Sequence, residues 1–214
     1  MIVFWNRLSV WYGQRGKDME KNTIKQRDRS RFKRAAVFVA AASVITAVTA
    51  ILPMVASVGK LIYANNVAVV LVSMGLGPVG GACYAAAASA VLNNIGMGSG
   101  VIPYVLLFQM AEAAAVGIIW HGKRFHIVRY LLTVLGGTFL LKPLSFLLYY
   151  GFNRQFLGGL SLGEYMAGSY ENYLRTGWTD TLLLYATGIL TGYLLKSLID
   201  YLIEKRNTRK EERS

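Results

Sequence analysis

The chain has 214 residues, of which 54% are apolar and 16% are charged, and its formal net charge is +12. Its mean hydropathy of +0.39 and its long uncharged stretches exclude an ordinary soluble domain, because water would not cover such stretches. The positive charge does not favour a nucleic-acid-binding protein, because the basic residues are crowded beside apolar segments. Basic residues in that position are typical of cytoplasmic flanks of membrane helices, where they also attract anionic lipid headgroups.

Residues 1–34 form a basic leader that holds ten of the 23 lysine and arginine residues. Met1–Tyr12 carries aromatic residues among aliphatic ones, a composition typical of a segment that lies in the membrane interface. Lys17–Arg34 is polar and basic, which predicts partial disorder in the cytoplasm. A start at Met19 would leave a conventional basic leader, so residues 1–18 are either an interfacial segment or an upstream extension.

Six apolar segments have roughly the 20 residues that a helix needs to cross the hydrocarbon core, the second being the shortest. They are Ala35–Met54, Leu61–Gly75, Val79–Ile95, Val101–Trp120, Ile127–Tyr150 and Thr181–Ile203. The sequence therefore predicts an all-α membrane protein with six transmembrane helices. The transmembrane domain is expected at residues 35–203, followed by a charged tail at residues 204–214.

The basic residues also predict the orientation of the chain, because positively charged segments resist translocation. If the N-terminus is cytoplasmic, 19 basic residues lie in cytoplasmic segments, and Lys60, Arg154 and Arg175 lie outside. An odd number of spans would carry the basic tail to the outer face. We therefore expect both termini in the cytoplasm, in a multi-pass protein of a bacterial plasma membrane.

The segment Gly75–Gly80 matches the pattern GxGxxG of dinucleotide-binding loops. Its context does not fit that function, because Pro78 lacks an N–H and an Ala-rich span follows. A stripe of small residues for close helix packing is the better interpretation, formed by residues four apart: Gly77, Gly81, Ala85 and Ser89. His121 and His126 lack the spacing of a metal site, and the sequence predicts no catalytic group, metal or cofactor.

Two charged residues fall inside the predicted spans, where charges are expensive and therefore candidates for function. Glu112 and Lys142 differ in depth by only about 4.5 Å, so they could meet between adjacent helices. They are expected either to form a buried charge pair or to leave Lys142 facing a cavity as an anchor for an anionic solute. Pro143 removes a backbone hydrogen bond and should leave a carbonyl free to bend towards a cavity. Gln109 lies near the same level.

Further polar residues gather in the outer half of the protein. Asn65 and Asn66 stand at the outer end of the second span, and Asn93 and Asn94 stand at the end of the third. The outer loop Gly151–Asp180 is long and rich in aromatic residues, so it either carries function or lies on the headgroups. This clustering favours capture of a solute that arrives from outside.

The basic start, the Ala-rich first and third spans, the short second span ending in Gly77-Pro78-Val-Gly80-Gly81 and the total of six spans together resemble a known family. They resemble the substrate-binding subunits of energy-coupling factor (ECF) transporters, from about Arg34 to Arg206. The resemblance implies a subunit without enzymatic activity that binds a vitamin or related micronutrient from outside. It also implies docking on a transmembrane coupling protein driven by two ATPases.

Site residues follow from the same resemblance. The family carries an Ala-x-x-x-Ala docking pattern on the first span, and Ala36 and Ala40 match it here. The family's ligand pocket lies in the outer half, and the positions that correspond to it are Lys60, Tyr63, Asn93, Asn94, Trp178 and Asp180. The sequence has no vitamin-specific signature, so the ligand stays open.

Two other functions are compatible with the sequence. One is a non-transporting membrane sensor or scaffold whose basic ends recruit cytoplasmic partners. The other is a small proton-coupled carrier that uses Glu112. Copurification with a coupling protein and ATPases would favour the ECF subunit, and loss of uptake on adding an uncoupler would favour the carrier.

Overall fold

The computed structural model describes residues 30–48, 64–94 and 103–211. In these residues the chain is helical apart from short turns, and no strand occurs, which confirms the all-α prediction. Contacts divide the chain into the units Met1–Val37 and Phe38–Ser214. In the first unit residues 30–37 are described, and they are helical. All packing discussed below lies within the second unit.

Seven helices are named in chain order. They are α1 (residues 30–48), α2 (Ala64–Asn94), α3 (Pro103–Trp120), α4 (Ile127–Gly136), α5 (Lys142–Asn153), α6 (Leu162–Thr176) and α7 (Trp178–Glu211). A π-helical segment, Gly137–Leu141, joins α4 to α5 without a break, and a short 3₁₀ turn, Arg154–Phe156, follows α5.

Four helical stretches of the described chain are long and apolar enough to cross a membrane. They are Asn66–Val91, Pro103–Trp120, Ile127–Phe156 and Trp178–Arg209. Large apolar side chains on these stretches point outwards, including Ile118, Leu132, Leu140 and Leu183, which are exposed by 71%, 66%, 76% and 62%. Apolar surface of this extent is compatible with a multi-pass membrane protein.

The helix α2 reverses direction at Gly77, which divides it into a first arm (residues 64–76) and a second arm (residues 78–94). Gly77 has φ 85° and ψ −176°, a backbone conformation open essentially only to glycine. A straight helix would separate Ser73 from Gly81 by about 12 Å. Instead, a Cβ added to Gly81 would lie 2.9 Å from the Cα of Ser73. Gly77 forms this turn, so the small-residue stripe predicted from the sequence does not include it and is left with Gly81, Ala85 and Ser89.

The end of α3 packs closely against this turn. A Cβ on Gly117 would lie 2.5 Å from the Cα of Pro78, so only glycine allows the two backbones to approach in this way. His121, just after α3, is exposed, and its Nδ1 lies 3.3 Å from the carbonyl oxygen of Met74 near the end of the first arm. A side-chain partner for a terminal helix carbonyl stabilises that helix end.

The two larger apolar clusters of the described residues hold the helices together. Val70 and Met74 of the first arm pack with Val116 and Trp120 of α3, Val134 of α4, and Tyr185 and Ile189 of α7. Phe38 and Ala42 of α1 pack with Ala68 and Leu71 of the first arm and with Ile199 of α7. The first arm of α2 thus occupies the centre of the fold and touches α1, α3 and α7.

The predicted outer loop Gly151–Asp180 is largely helical, which corrects the sequence interpretation. The helix α5 continues to Asn153, α7 begins at Trp178, and α6 lies between them. The helix α6 starts with a capping box, in which Ser161 accepts from the N–H of Glu164 and Glu164 accepts from the N–H of Ser161. Two N–H groups at the helix start are thereby satisfied.

Candidate functional site

An acidic side chain, Glu112, lies in the interior of the second unit. It sits near the middle of α3 and is 7% exposed. Its carboxylate accepts a hydrogen bond from Asn66 Nδ2 at 3.4 Å and lies beside the hydroxyl of Tyr185. A buried carboxylate is tolerated where donors satisfy its oxygens. The first arm of α2, α3 and α7 therefore meet at Glu112.

A basic side chain, Lys142, lies near this carboxylate at the start of α5. It is half-buried, and its charge and that of Glu112 attract each other. In the part of the chain that the structure describes, however, no ion pair joins the two residues; ion pairs link Arg175 to Glu171 and Lys196 to Asp200. The Nζ of Lys142 lies 5.8 Å from the ring centroid of Phe146, within the range of a cation–π contact.

The backbone before Lys142 is widened by the π-helical segment and by Pro143. In an α-helix, proline would leave the carbonyl four residues earlier without its partner. A π turn shifts that position back by one residue, to Thr138. The Thr138 carbonyl accepts a hydrogen bond from the Tyr173 hydroxyl at 2.8 Å. The carbonyl expected to be free for a cavity is therefore used by α6.

A second polar pair lies one turn before Glu112 on α3. The Ser89 hydroxyl of the second arm donates a short hydrogen bond to Gln109 Oε1, and Ser89 is buried. Because residues three apart on a helix lie on neighbouring faces, Gln109 and Glu112 both turn towards α2. The interior of the second unit thus holds polar contacts at two levels.

Tyrosine side chains join α6 to the ends of α3 and α5. Tyr104 and Tyr149 meet edge to face with centroids 5.0 Å apart, and Tyr149 stacks on Tyr165 of α6 at 6.1 Å. Tyr173 of α6 contacts Phe146 at 5.9 Å and is buried, and burial raises the pKa of its hydroxyl. The aromatic wall, defined here as Phe146 and Tyr173, therefore stands beside Lys142.

The opposite end of these helices, around the turn His121–His126, is closed by hydrogen bonds. Trp120 Nε1 donates to Thr133 Oγ1 at 3.0 Å, and the Phe125 N–H donates to the Tyr193 hydroxyl at 2.9 Å. Arg129 donates to the carbonyl of Arg124 at 2.7 Å and lies 5.8 Å from the Trp120 ring centroid. Trp120 itself is buried.

Only some of the residues predicted for the site lie in the part of the chain that the structure describes. Lys60 and Tyr63 lie outside the described residues, and so do the side chains of Asn93 and Asn94, whose backbone ends α2. Trp178 stacks on Phe139 with centroids 6.2 Å apart, and Asp180 is exposed in the first turn of α7. The structure brings Glu112 and Lys142 into one neighbourhood, and it pairs Gln109 with Ser89.

The remaining candidates lie on the surface. Ala36 and Ala40 are both exposed on α1, and His121 and His126 are exposed in the turn between α3 and α4. Cys83 is a free, exposed cysteine. Within the described residues, no three or more histidine, cysteine, aspartate or glutamate side chains lie close enough to hold a metal ion.

Sequence reasoning missed three groups that complete the site. The sequence places Asn66 at the outer end of a span and Tyr185 within a span, yet Asn66 donates to Glu112 and the Tyr185 hydroxyl lies beside it. Tyr173 was assigned to a loop, although it satisfies the Thr138 carbonyl. The Ser161-x-x-Glu164 pattern could have revealed α6 and hence Tyr173. Nothing in the spacing of Asn66 or Tyr185 indicates a common partner.

Comparison with models of known protein families, with curated proteins and with solved structures finds no match to this chain.

Proposed function

We propose that this chain crosses a bacterial plasma membrane six times, with both termini in the cytoplasm. The reversal at Gly77 supports two crossings within α2, because its arms run in opposite directions. The crowding of basic residues at both ends of the chain supports the orientation. Labelling of a cysteine introduced at Ser214, in a Cys83→Ser background, should require membrane permeabilisation. Labelling of intact cells would contradict the orientation.

We further propose that the protein is a substrate-binding subunit of an ECF-type importer and captures a vitamin or related micronutrient from outside. The observation that carries this proposal is the charged side chain of Lys142, which lies inside an apolar stretch and makes no ion pair among the described residues. Such a charge is expensive in a membrane unless function requires it. The subunit itself hydrolyses nothing, and uptake depends on a coupling protein with two ATPases.

Copurification in mild detergent tests this assignment. A coupling protein and two ATPases should accompany the chain, and purified protein should bind one micronutrient tightly without turnover. Isolation of the folded chain without such partners, together with no binding across a vitamin panel, would contradict the assignment.

Docking should depend on the exposed alanines Ala36 and Ala40 of α1, because small residues four apart allow close helix approach. The double variant Ala36→Leu, Ala40→Leu should lose the coupling protein and keep its ligand. The matched control is Ala87→Leu, Ala90→Leu, which makes the same change at exposed positions of the second arm of α2. Equal copurification of both variants would remove the alanines from docking.

A proton-coupled carrier is the second candidate, and the setting of Glu112 favours it. This carboxyl is buried, accepts a hydrogen bond from the neutral amide of Asn66 and lies beside the neutral hydroxyl of Tyr185. Such a group can take up a proton without breaking an ion pair. Uptake that stops on adding an uncoupler while ATP is maintained, and that Glu112→Gln abolishes, would favour the carrier over the ECF subunit.

A further inference from the structure

The ammonium group of Lys142 has no polar partner, although the groups around it are satisfied. It makes no hydrogen bond or ion pair with the residues that the structure describes, and its nearest aromatic neighbour is Phe146. No fully buried side-chain nitrogen or oxygen among those residues lacks a hydrogen-bond partner. The Nζ of Lys142 therefore keeps some accessible surface, through which a ligand group could reach it.

The neighbouring carboxylate does not pair with this ammonium. Glu112 of α3 accepts a hydrogen bond from Asn66 of the first arm of α2 and lies beside the Tyr185 hydroxyl of α7. It attracts Lys142 from beyond ion-pair distance. An ammonium that lacks a hydrogen-bonded partner among the described residues can bind an anionic group of a ligand through charge-assisted hydrogen bonds.

The surroundings limit the size of that charge. One ammonium balances one negative charge, and the carboxyl group of Glu112 nearby adds no positive charge. A phosphate group, at about −1.5 to −2, would remain partly uncompensated beside it. A carboxylate, with one negative charge, fits the electrostatics better.

The aromatic wall of Phe146 and Tyr173 indicates what the rest of the ligand is. The two rings meet at 72° with centroids 5.9 Å apart, and Tyr173 is fixed by its hydrogen bond to the Thr138 carbonyl. Rigid aromatic surfaces favour flat rings, which gain offset or edge contacts beyond their buried area. The ammonium and the wall lie on adjacent turns, since Lys142 also contacts the ring of Phe146.

We propose that the ligand is an acid with one carboxylate and a planar ring, in which the carboxylate binds Lys142 Nζ and the ring packs on Phe146, which buried Tyr173 backs within the fold. The inference rests on the proposed binding function and specifies its substrate class. Two observations support this ligand class: the Nζ of Lys142 lies beside the ring of Phe146, and Glu112 is hydrogen-bonded to Asn66 instead of forming an ion pair with Lys142.

The test measures binding of small probes to the full chain in detergent, by calorimetry and by shift of the melting temperature. The acid probes are benzoate, pyridine-3-carboxylate, indole-3-carboxylate and indole-3-acetate, each beside its primary amide. Acetate and benzylamine report the need for a ring and the sign of the charge. At least one ring acid should bind, and its amide should bind at least ten-fold more weakly, because a hydrogen bond to a charged group is lost.

Variants assign the binding to Lys142. Lys142→Met should weaken the acid by about ten- to hundred-fold and leave the amide unchanged, whereas Lys142→Arg should retain most of the affinity. Phe146→Leu should weaken ring acids and leave the weak binding of acetate unchanged. The control Lys123→Met, at an exposed lysine of the turn between α3 and α4, should change nothing.

The outcomes separate this inference from the proposed function. Binding of an amide or an amine with full affinity to both wild type and Lys142→Met would overturn the inference and leave a binding protein. If no ring acid binds while members of a vitamin panel do, the inference is likewise overturned and the protein remains a binding protein. Silence of the folded wild-type protein towards all probes and the vitamin panel would contradict both.

Discussion

The start and the middle of the helical stretch Ile127–Phe156 treat a basic side chain in opposite ways. Arg129 donates to the carbonyl of Arg124 and lies over the ring of Trp120, so its charge is used within the fold. Lys142 also lies near an aromatic ring, but no oxygen of the described residues accepts from it. Both residues belong to the same apolar stretch, Ile127–Phe156.

The difference distinguishes side chains that stabilise the fold from a side chain that we assign to ligand binding. Around Arg129, the hydrogen bonds from Trp120 to Thr133 and from Phe125 to Tyr193 join three helices, and loss of any of them should reduce stability. Around Lys142, the fold satisfies Glu112 and Thr138 and leaves the ammonium open. We therefore expect changes around Arg129 to lower the melting temperature and changes at Lys142 to affect binding.

The largest effect on stability is expected from Trp120→Ala. Trp120 is 1% exposed and donates to Thr133, so its loss creates a cavity and leaves a buried hydroxyl without a donor. We expect a loss of about 3–5 kcal/mol in the free energy of unfolding, measured by chemical or thermal denaturation in detergent. Trp178→Ala, at a position that is 36% exposed, is the control. Equal losses for the two variants would show that the Trp120 end is not a closed core.

The next effect is expected from Tyr173→Phe, which keeps the ring and removes the hydroxyl. The Thr138 carbonyl would then lie buried without a donor beside Pro143, at a cost of about 1–3 kcal/mol. Tyr165→Phe is the matched control, since Tyr165 lies on the same helix and contributes its ring to Tyr149. If both variants have the melting temperature of wild type, another group donates a hydrogen bond to the Thr138 carbonyl.

In the absence of ligand, Lys142→Met is expected to have only a small effect on the melting temperature, and not to lower it. Methionine fills similar space without a charge, and no polar contact among the described residues is lost. The melting temperature should stay the same or rise, because an unpaired charge in an apolar setting costs stability. Arg129→Met, which removes the bond to Arg124, should lower it. A marked decrease for Lys142→Met would mean that Lys142 serves the fold.

The smallest effect concerns the capping box of α6, the helix that carries Tyr173. Hydrogen bonds from the Ser161 side chain and N–H hold the pKa of Glu164 below its ordinary value. Because the folded pKa is lowered, this contribution to α6 is present above the ordinary value and is lost as the pH falls through the lowered pKa. Carbon-13 NMR of the carboxyl should show the low midpoint, and Ser161→Ala should raise it.

An unchanged midpoint in Ser161→Ala would show that the capping box does not set the ionisation of Glu164. Ser169→Ala, on the same helix, serves as the control and should leave the midpoint where wild type has it.

Much of the fold could be predicted because its causes are local. Long apolar stretches predict membrane helices, and Gly77 with Pro78 predicts the break between two segments, since glycine allows the turn and proline starts the next helix. The helix α6 was missed because its polar composition resembles a loop. The π-helical segment Gly137–Leu141 was not predicted either, and its Thr138 carbonyl finds a donor only in tertiary structure, in Tyr173, 35 residues away.

Of the residues in the site, only the charged ones could be predicted from the sequence. Glu112 and Lys142 stand out because ionised groups are rare in apolar spans, but their relation depends on how each helix is rotated. Rotation is set by tertiary packing, such as the approach of Gly192 to Val70, where a Cβ would lie 2.6 Å from Cγ1 of the valine. The sequence therefore could not decide between a charge pair and an open lysine, nor assign Asn66 and Tyr185 to Glu112.

The most direct measurement is native mass spectrometry of the protein released from its own membranes, with wild type beside Lys142→Met and Lys142→Arg. We expect wild type to carry one small acid, identified by fragmentation, which Lys142→Met loses and Lys142→Arg keeps in part. Wild type without any bound solute, or the same solute retained in full by Lys142→Met, would contradict a ligand site at Lys142.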